Sequence, residues 1–218
     1  MGFLGELCVS AVNIYGENMT STIIDMIRHG EPVGGKRYRG QIDDPLSDKG
    51  WAQMRTAVGD HCPWQAIISS PLSRCAAFAE ELAQRHGLPL AHDVRLKEIG
   101  FGAWEGKTAQ ELMASDPQIL MNFWRDPLNH TPPGAESLAE FASRITAAWQ
   151  GILDEYAGQH VLLVGHAGQM RMVIRHVLAT PLEMMFRIQV ENAAITRIQV
   201  DGEGEQALPR LIFHGGRL

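Results

Sequence analysis

Three short apolar runs, each leading into a polar turn, constrain the fold of this chain more than any other feature. Ile23-Ile24-Asp25-Met26-Ile27 leads into Arg28-His29-Gly30-Glu31, Ala66-Ile67-Ile68 into Ser69-Ser70-Pro71, and Val161-Leu162-Leu163-Val164 into Gly165-His166-Ala167-Gly168. Near-continuous runs of this kind are interior strands of a largely parallel sheet, covered on both faces. Helical patterns lie between them. Ser47 is an N-cap candidate for a helix to about Asp60, and Pro71 fits the first turn of a helix to Gln84. From Glu136 to Tyr156, Leu138, Phe141, Ile145, Trp149, Ile152 and Tyr156 fall on one helical stripe. A further helix is expected from Gln169 to Leu178, and further strands at Ala194–Val200 and Leu211–His214. Strands alternating with helices predict an α/β fold, a three-layer α/β/α sandwich around a mostly parallel sheet.

The 218 residues suit one domain, and no Pro/Ser-rich or single-sign charge run marks a linker. Met19 followed by Thr20-Ser21-Thr22 and a strand resembles a natural start. Residues 1–18 are therefore expected to be an N-terminal extension, and residues 19–218 the folded domain. Residues 105–133, rich in Pro and aromatics, are expected to form short helices and loops, a cap-like insertion over one edge of the site. A net charge of −6 argues against nucleic acid as a partner. No run reaches the roughly 18 apolar residues of a membrane span. The three cysteines, Cys8, Cys62 and Cys75, are odd in number and form no C-x-x-C pair, as expected of a protein in a reducing cytoplasm.

In parallel α/β sheets, ligands bind beyond the carboxyl ends of the strands. The three runs deliver Arg28 and His29, then a Ser-Ser-Pro turn followed by Arg74 in the first turn of a helix, and then His166 just before another helix. Two imidazoles and two guanidiniums converging on helix N-termini suit a phosphate group. Lys36, Arg37 and Arg39 add positive charge close by in sequence.

These residues belong to motifs that resemble the histidine phosphatase superfamily, the branch containing cofactor-dependent phosphoglycerate mutases. Arg28-His29-Gly30-Glu31 resembles its signature. Gly40-Gln41-Ile42-Asp43-Asp44-Pro45-Leu46-Ser47 with Gly50 is similar to its Gly-x-x-Asp-x-Pro-Leu-Thr/Ser element, and Ser69-Ser70-Pro71-Leu72-Ser73-Arg74 to its Ser-Ser-x-x-x-Arg. The block from Leu96-Lys97-Glu98 to Trp104-Glu105-Gly106, then Pro133-Gly134-Ala135-Glu136-Ser137, then Val164-Gly165-His166-Ala167-Gly168 complete six matches in the family's order. The resemblance implies a phosphoglycerate mutase-like fold and a phosphatase needing neither metal nor cofactor. His29 would be the nucleophile, and Arg28, Arg74 and His166 would hold the phosphoryl oxygens. Glu98 would be the acid and then the base. A small-molecule phosphate ester is the expected partner, with a homodimer as an open alternative.

Glu98 is followed by Ile-Gly-Phe-Gly-Ala-Trp-Glu-Gly rather than the mutases' Arg-His-Tyr-Gly-type segment, which favours a phosphatase. Tyr38-Arg39-Gly40 and the Glu98 block most resemble the α-ribazole phosphatase group of cobalamin biosynthesis. The chain departs from the family where many members carry an Asn after the signature. Here Pro32 to Arg39 is shorter, and Arg37 or Arg39 is the expected substitute for binding substrate. Other classes compete. Gly30 to Lys36 has the spacing of a P-loop, but Arg37 stands where Ser or Thr is needed, and no helix is expected to follow. A metal hydrolase would draw on nine His, but no tight ligand spacing is present. A phosphate-binding module without turnover is the third alternative.

Overall fold

A computed structural model describes residues 20–216. The expected extension over residues 1–18, and Cys8 with it, lies outside the described residues. The strands are β1 (Ser21–Arg28), β2 (Ala66–Ser69), β3 (Leu90–His92), β4 (His160–Gly165), β5 (Ile195–Asp201) and β6 (Leu208–Gly216). The helices are α1 (Asp48–Val58), α2 (Ser73–His86), α3 (Ala109–Ser115), α4 (Ile119–Arg125), α5 (Leu138–Glu155) and α6 (Ala167–Val177). One sheet runs in the order β3-β2-β4-β1-β5-β6. The first four of these strands are parallel, and β5 and β6 are antiparallel to their neighbours. This is the mostly parallel α/β sandwich expected.

Side-chain alternation along the buried strands makes two cores. Ile24, Met26, Ile68, Val161 and Leu163 face α5 and α6, meeting Phe141, Ile145, Trp149, Ile152, Met170 and Val173. Ile27, Ile67, Leu162 and Val164 face α1 and α2, meeting Met54, Val58, Phe78 and Leu82. The predicted α5 stripe buries Leu138, Phe141, Ile145, Trp149 and Ile152. Burial of such side chains stabilises the fold by about 1.5–3 kcal/mol each. Ser47 caps α1 through the Gly50 amide. The helix expected from Glu136 starts at Leu138, because Ser137 and Glu140 form a capping box. β3 was not expected. It has three residues at the sheet edge, too few to show periodicity. Within residues 105–133, Leu112, Leu120 and Phe123 of α3 and α4 join Trp104 in a small separate cluster, against which Tyr38, Phe101 and Phe186 pack. Among the described residues, no helix is long and apolar enough to cross a membrane.

The strand order brings the functional turns together. Arg28 is in register with Gly165, and Ser69 with Val164, so β1, β4 and β2 end side by side at their carboxyl edge. The amide of His29 donates to the Gly165 carbonyl, and that of Ser70 to Val164.

Candidate active site

His29 sits at the end of β1 and is 5% exposed. Its Nδ1 lies 2.7 Å from the Gly30 carbonyl oxygen. A carbonyl can only accept, so Nδ1 carries the proton and Nε2 the lone pair. Burial, reinforced by Arg28 and Arg74, holds the imidazole pKa well below its ordinary 6.5, so the ring is neutral at physiological pH. The tight turn needs Gly30 and Gly50: a Cβ on Gly30 would stand 2.2 Å from the Gly50 carbonyl, and one on Gly50 2.2 Å from the Glu31 carbonyl. That contact ties the signature turn to the first turn of α1.

His166, fully buried at the end of β4, lies 5.3 Å from His29 between ring centroids. Its Nε2 is 2.7 Å from the Ser70 hydroxyl. Burial, then the nearby charge of Arg74, pushes its pKa well below 6.5. Arg74, 1% exposed, enters from the first turn of α2. Its Nη1 donates to the Ile42 carbonyl and its Nη2 to that of Gly40, fixing both loop and guanidinium. Arg28 donates through Nη1 to the Val190 carbonyl, 2.7 Å away. Among the described residues, the Nε of each arginine is buried without a hydrogen-bond partner. Buried donors of this kind carry an energetic cost that an anion between them would relieve.

Glu98 faces these cations. Its Oε1 accepts from the Ile99 amide and its Oε2 from the Gly168 amide at the start of α6. A Cβ on Gly168 would lie 2.2 Å from Oε1, so only glycine admits the carboxyl there. The Glu98 backbone is held by Arg144, which donates to the carbonyls of Lys97 and Glu98 and pairs with Glu136. Glu105 accepts from the amides of Gln41 and Phe101, tying the Gly40 loop to the Glu98 segment. Glu136 and Glu105 therefore position the site without lining its cavity.

All seven predicted residues except His166 line one cavity of about 240 Å³, and His166 lies behind it against His29. Arg37 is exposed at the rim, its Nε bonded to the Gly34 carbonyl. Arg39 is 9% exposed and committed to its own loop: Nε pairs with Asp44, and Nη2 donates to the Val33 and Gly35 carbonyls. Sequence reasoning missed Arg171, Tyr38, Phe101 and Phe186, which line the same cavity. Arg171 follows His166 by five residues on α6, and that spacing was the one available signal. The P-loop alternative fails, because the first helix after Lys36 begins only at Asp48. Among the described residues, no group of three or more His, Cys, Asp or Glu side chains is placed to hold a metal ion.

Comparison with known proteins identifies the family. The family model "Histidine phosphatase superfamily (branch 1)" matches residues 24–210. The chain is 31% identical over 208 residues to the bifunctional protein Rv2228c of Mycobacterium tuberculosis, covering 93% of this chain but only 57% of that protein's length. It is 32% identical over 178 residues to a probable phosphoglycerate mutase, GpmB, of Salmonella typhi, covering 79% of this chain and 82% of the relative. The mycobacterial glucosyl-3-phosphoglycerate phosphatase Rv2419c, solved with VO3, superposes with a TM-score of 0.78 at 29% identity, over 88% of this chain and 97% of that one. With its signature at the strand ends and a family match across most of its length, the chain belongs to branch 1 of the histidine phosphatase superfamily.

Proposed function

We propose that the protein is a phosphomonoesterase that hydrolyses a small-molecule phosphate ester through a phosphohistidine on His29. The observation that carries this is the Gly30 carbonyl pinning Nδ1–H, which leaves a neutral imidazole with its lone pair on Nε2 in a cavity ringed by arginines. In the first step that lone pair forms a bond to phosphorus, and the ester P–O bond breaks. Its electron pair leaves on the ester oxygen, which takes a proton from the Glu98 carboxyl. In the second step water attacks phosphorus and the N–P bond returns its pair to Nε2. Glu98, now a carboxylate, takes the proton from water. Splitting the reaction in this way replaces one hard displacement with two easier ones. Arg28, Arg74 and His166 stabilise the charge on the equatorial oxygens, the dominant contribution in phosphoryl transfer. No step draws on a metal or an organic cofactor.

Arg37, at the rim, is placed to meet substrate. Arg39 acts on His29 by its charge and holds the loop. The α3–α4 segment serves as the cap over the leaving group. Free Cys62 and Cys75 suit a reducing cytoplasm. α-Ribazole 5′-phosphate stands as a candidate substrate because Tyr38, Arg39 and Gly40, which carry that resemblance, line the cavity. The likeness to GpmB favours a second reading, a mutase-type phosphotransferase.

The test is phosphate release from p-nitrophenyl phosphate at pH 5 to 8 in EDTA, for wild type and His29→Ala, with rapid-quench detection of phosphohistidine. Turnover and phosphohistidine in the wild type, both lost in the variant, are expected. Activity that survives loss of His29 would refute the assignment. Phosphohistidine that forms but persists, discharging to a phosphoglycerate instead of water, would select the mutase reading.

A further inference from the structure

We infer that Arg171 reads the leaving group, and that the favoured substrate is a phosphate monoester whose organic part carries a second acidic group, a carboxylate first. The inference rests on the phosphatase reading of the cavity and narrows it.

Arg171 lies three residues after Gly168 on α6, on the same helix face. The Gly168 amide holds Glu98 Oε2, so the Arg171 side chain rises beside the group that meets the leaving oxygen. Its Nε donates to the Ile188 carbonyl at 2.7 Å, which fixes the plane of the guanidinium. Among the described residues, its two terminal nitrogens have no hydrogen-bond partner and no carboxylate within ion-pair distance. They present four N–H donors in a planar fork, which matches a carboxylate. Phe186 lies against the guanidinium, 5.8 Å from ring centroid to Cζ, and limits water on that side.

Location separates this arginine from the phosphate ring. The charges acting most strongly on His29 are those of Arg28, Arg74 and Arg39, whereas Arg171 is felt by Arg28 and is itself acted on by Glu98. Arg171 also forms the shared wall between the catalytic cavity and a wider groove of about 600 Å³, lined by Tyr38, Phe101, Trp124 and Phe186. That groove has room for the organic part of an ester.

Charge balance points the same way. Five arginines line the catalytic cavity against one carboxyl group, that of Glu98, and among the described residues only Arg39 of the five has an acidic partner, Asp44. Glu98 carries its proton when it acts as the acid, and a phosphate ester carries about two negative charges at neutral pH, so positive charge remains for the rest of the substrate. α-Ribazole, a neutral leaving group, would leave that charge unanswered.

The experiment compares 3-phosphoglycerate with glycerol 3-phosphate, which differ by a carboxylate in place of a hydroxymethyl group. It measures kcat/KM in wild type, Arg171→Met and Arg171→Lys, and Kd by calorimetry on His29→Ala and His29→Ala/Arg171→Met. A charge-assisted contact of this kind predicts a preference of roughly 10- to 100-fold for the acidic ester in wild type. The preference should collapse toward unity in Arg171→Met and return in part in Arg171→Lys. Equal kcat/KM for the two esters in wild type, or a loss in Arg171→Met shared equally by both, would overturn the inference. The latter pattern is what a merely structural tether to Ile188 would give. Failure of the phosphatase reading looks different: neither ester is turned over, and the calorimetric preference on His29→Ala still decides the role of Arg171.

Discussion

Asp25 offers a test of the scaffold that is independent of catalysis. It lies in the middle of β1, the strand that delivers His29, and is fully buried. Its carboxylate accepts from Arg197 through Nε at 2.8 Å and Nη2 at 3.0 Å, and from Trp64 Nε1 at 2.9 Å; His160 Nε2 lies 2.8 Å away. Burial alone would raise the pKa, but the hydrogen bonds from His160, Arg197 and Trp64 outweigh it and hold Asp25 at about 2, against an ordinary 3.8. A folded-state pKa below the unfolded one means the contribution is fully present above about pH 4 and is lost as pH falls toward 2. That shift corresponds to about 2 kcal/mol of stability at neutral pH, of which about half remains at pH 3. Asp25→Asn removes the charge and turns an amide N–H₂ toward donors, so the total cost at pH 7 should be larger, about 3–5 kcal/mol. The assay is urea unfolding of wild type and variant at pH 7, 5 and 3. The stability gap should be equal at pH 7 and 5 and about 1 kcal/mol smaller at pH 3. A gap independent of pH, or one below 1 kcal/mol at pH 7, would refute the claim that the ionised carboxylate anchors β1.

Two further outcomes follow from the site. Glu98→Gln should lower kcat on alkyl phosphates by about 10²–10³-fold and on p-nitrophenyl phosphate far less, since nitrophenolate leaves without a proton; equal losses on both would rule out the acid role. Nitrogen-15 NMR of the imidazoles should show His29 neutral with the proton on Nδ1 at pH 6; an imidazolium at that pH, or a proton on Nε2, would contradict the nucleophile geometry.

The central sheet and the candidate site were legible because their signals are local. Arg28 and His29 follow the first run within two residues, His166 follows Val164 by two, and Arg74 follows Ile68 by six in the first turn of the next helix, so all four could be placed without knowing what packs where. What was not legible depends on distant pairings. Asp25 sits within an apolar run, and its partners Trp64, His160 and Arg197 lie 39, 135 and 172 positions away. Arg171 resembles any polar residue on an amphipathic helix until the Ile188 carbonyl, 17 positions on, orients it beside Glu98. Arg39 was expected to bind substrate, with Arg37 as the alternative, in place of the Asn missing after the signature. The fold commits most of its donors to Asp44, Val33 and Gly35, a loop closure that spacing alone could not reveal.

The anchoring of these arginines also explains how a chain of net charge −6 presents a positive cavity. Arg28, Arg74 and Arg171 are held by the carbonyls of Val190, Ile42, Gly40 and Ile188, not by carboxylates. A carbonyl dipole satisfies a donor and fixes the guanidinium plane but does not cancel its charge. A carboxylate in the same place would neutralise the cation and compete with the phosphoryl group for its donors. Dipole anchoring therefore keeps the cations rigid and oriented while their charge stays available, which is the preorganisation that phosphoryl transfer requires. It also keeps the His29 imidazole neutral, because the uncancelled charges of Arg28 and Arg74 disfavour its protonation. In the proposed mechanism, the field that holds the phosphate thus also keeps the lone pair of His29 free.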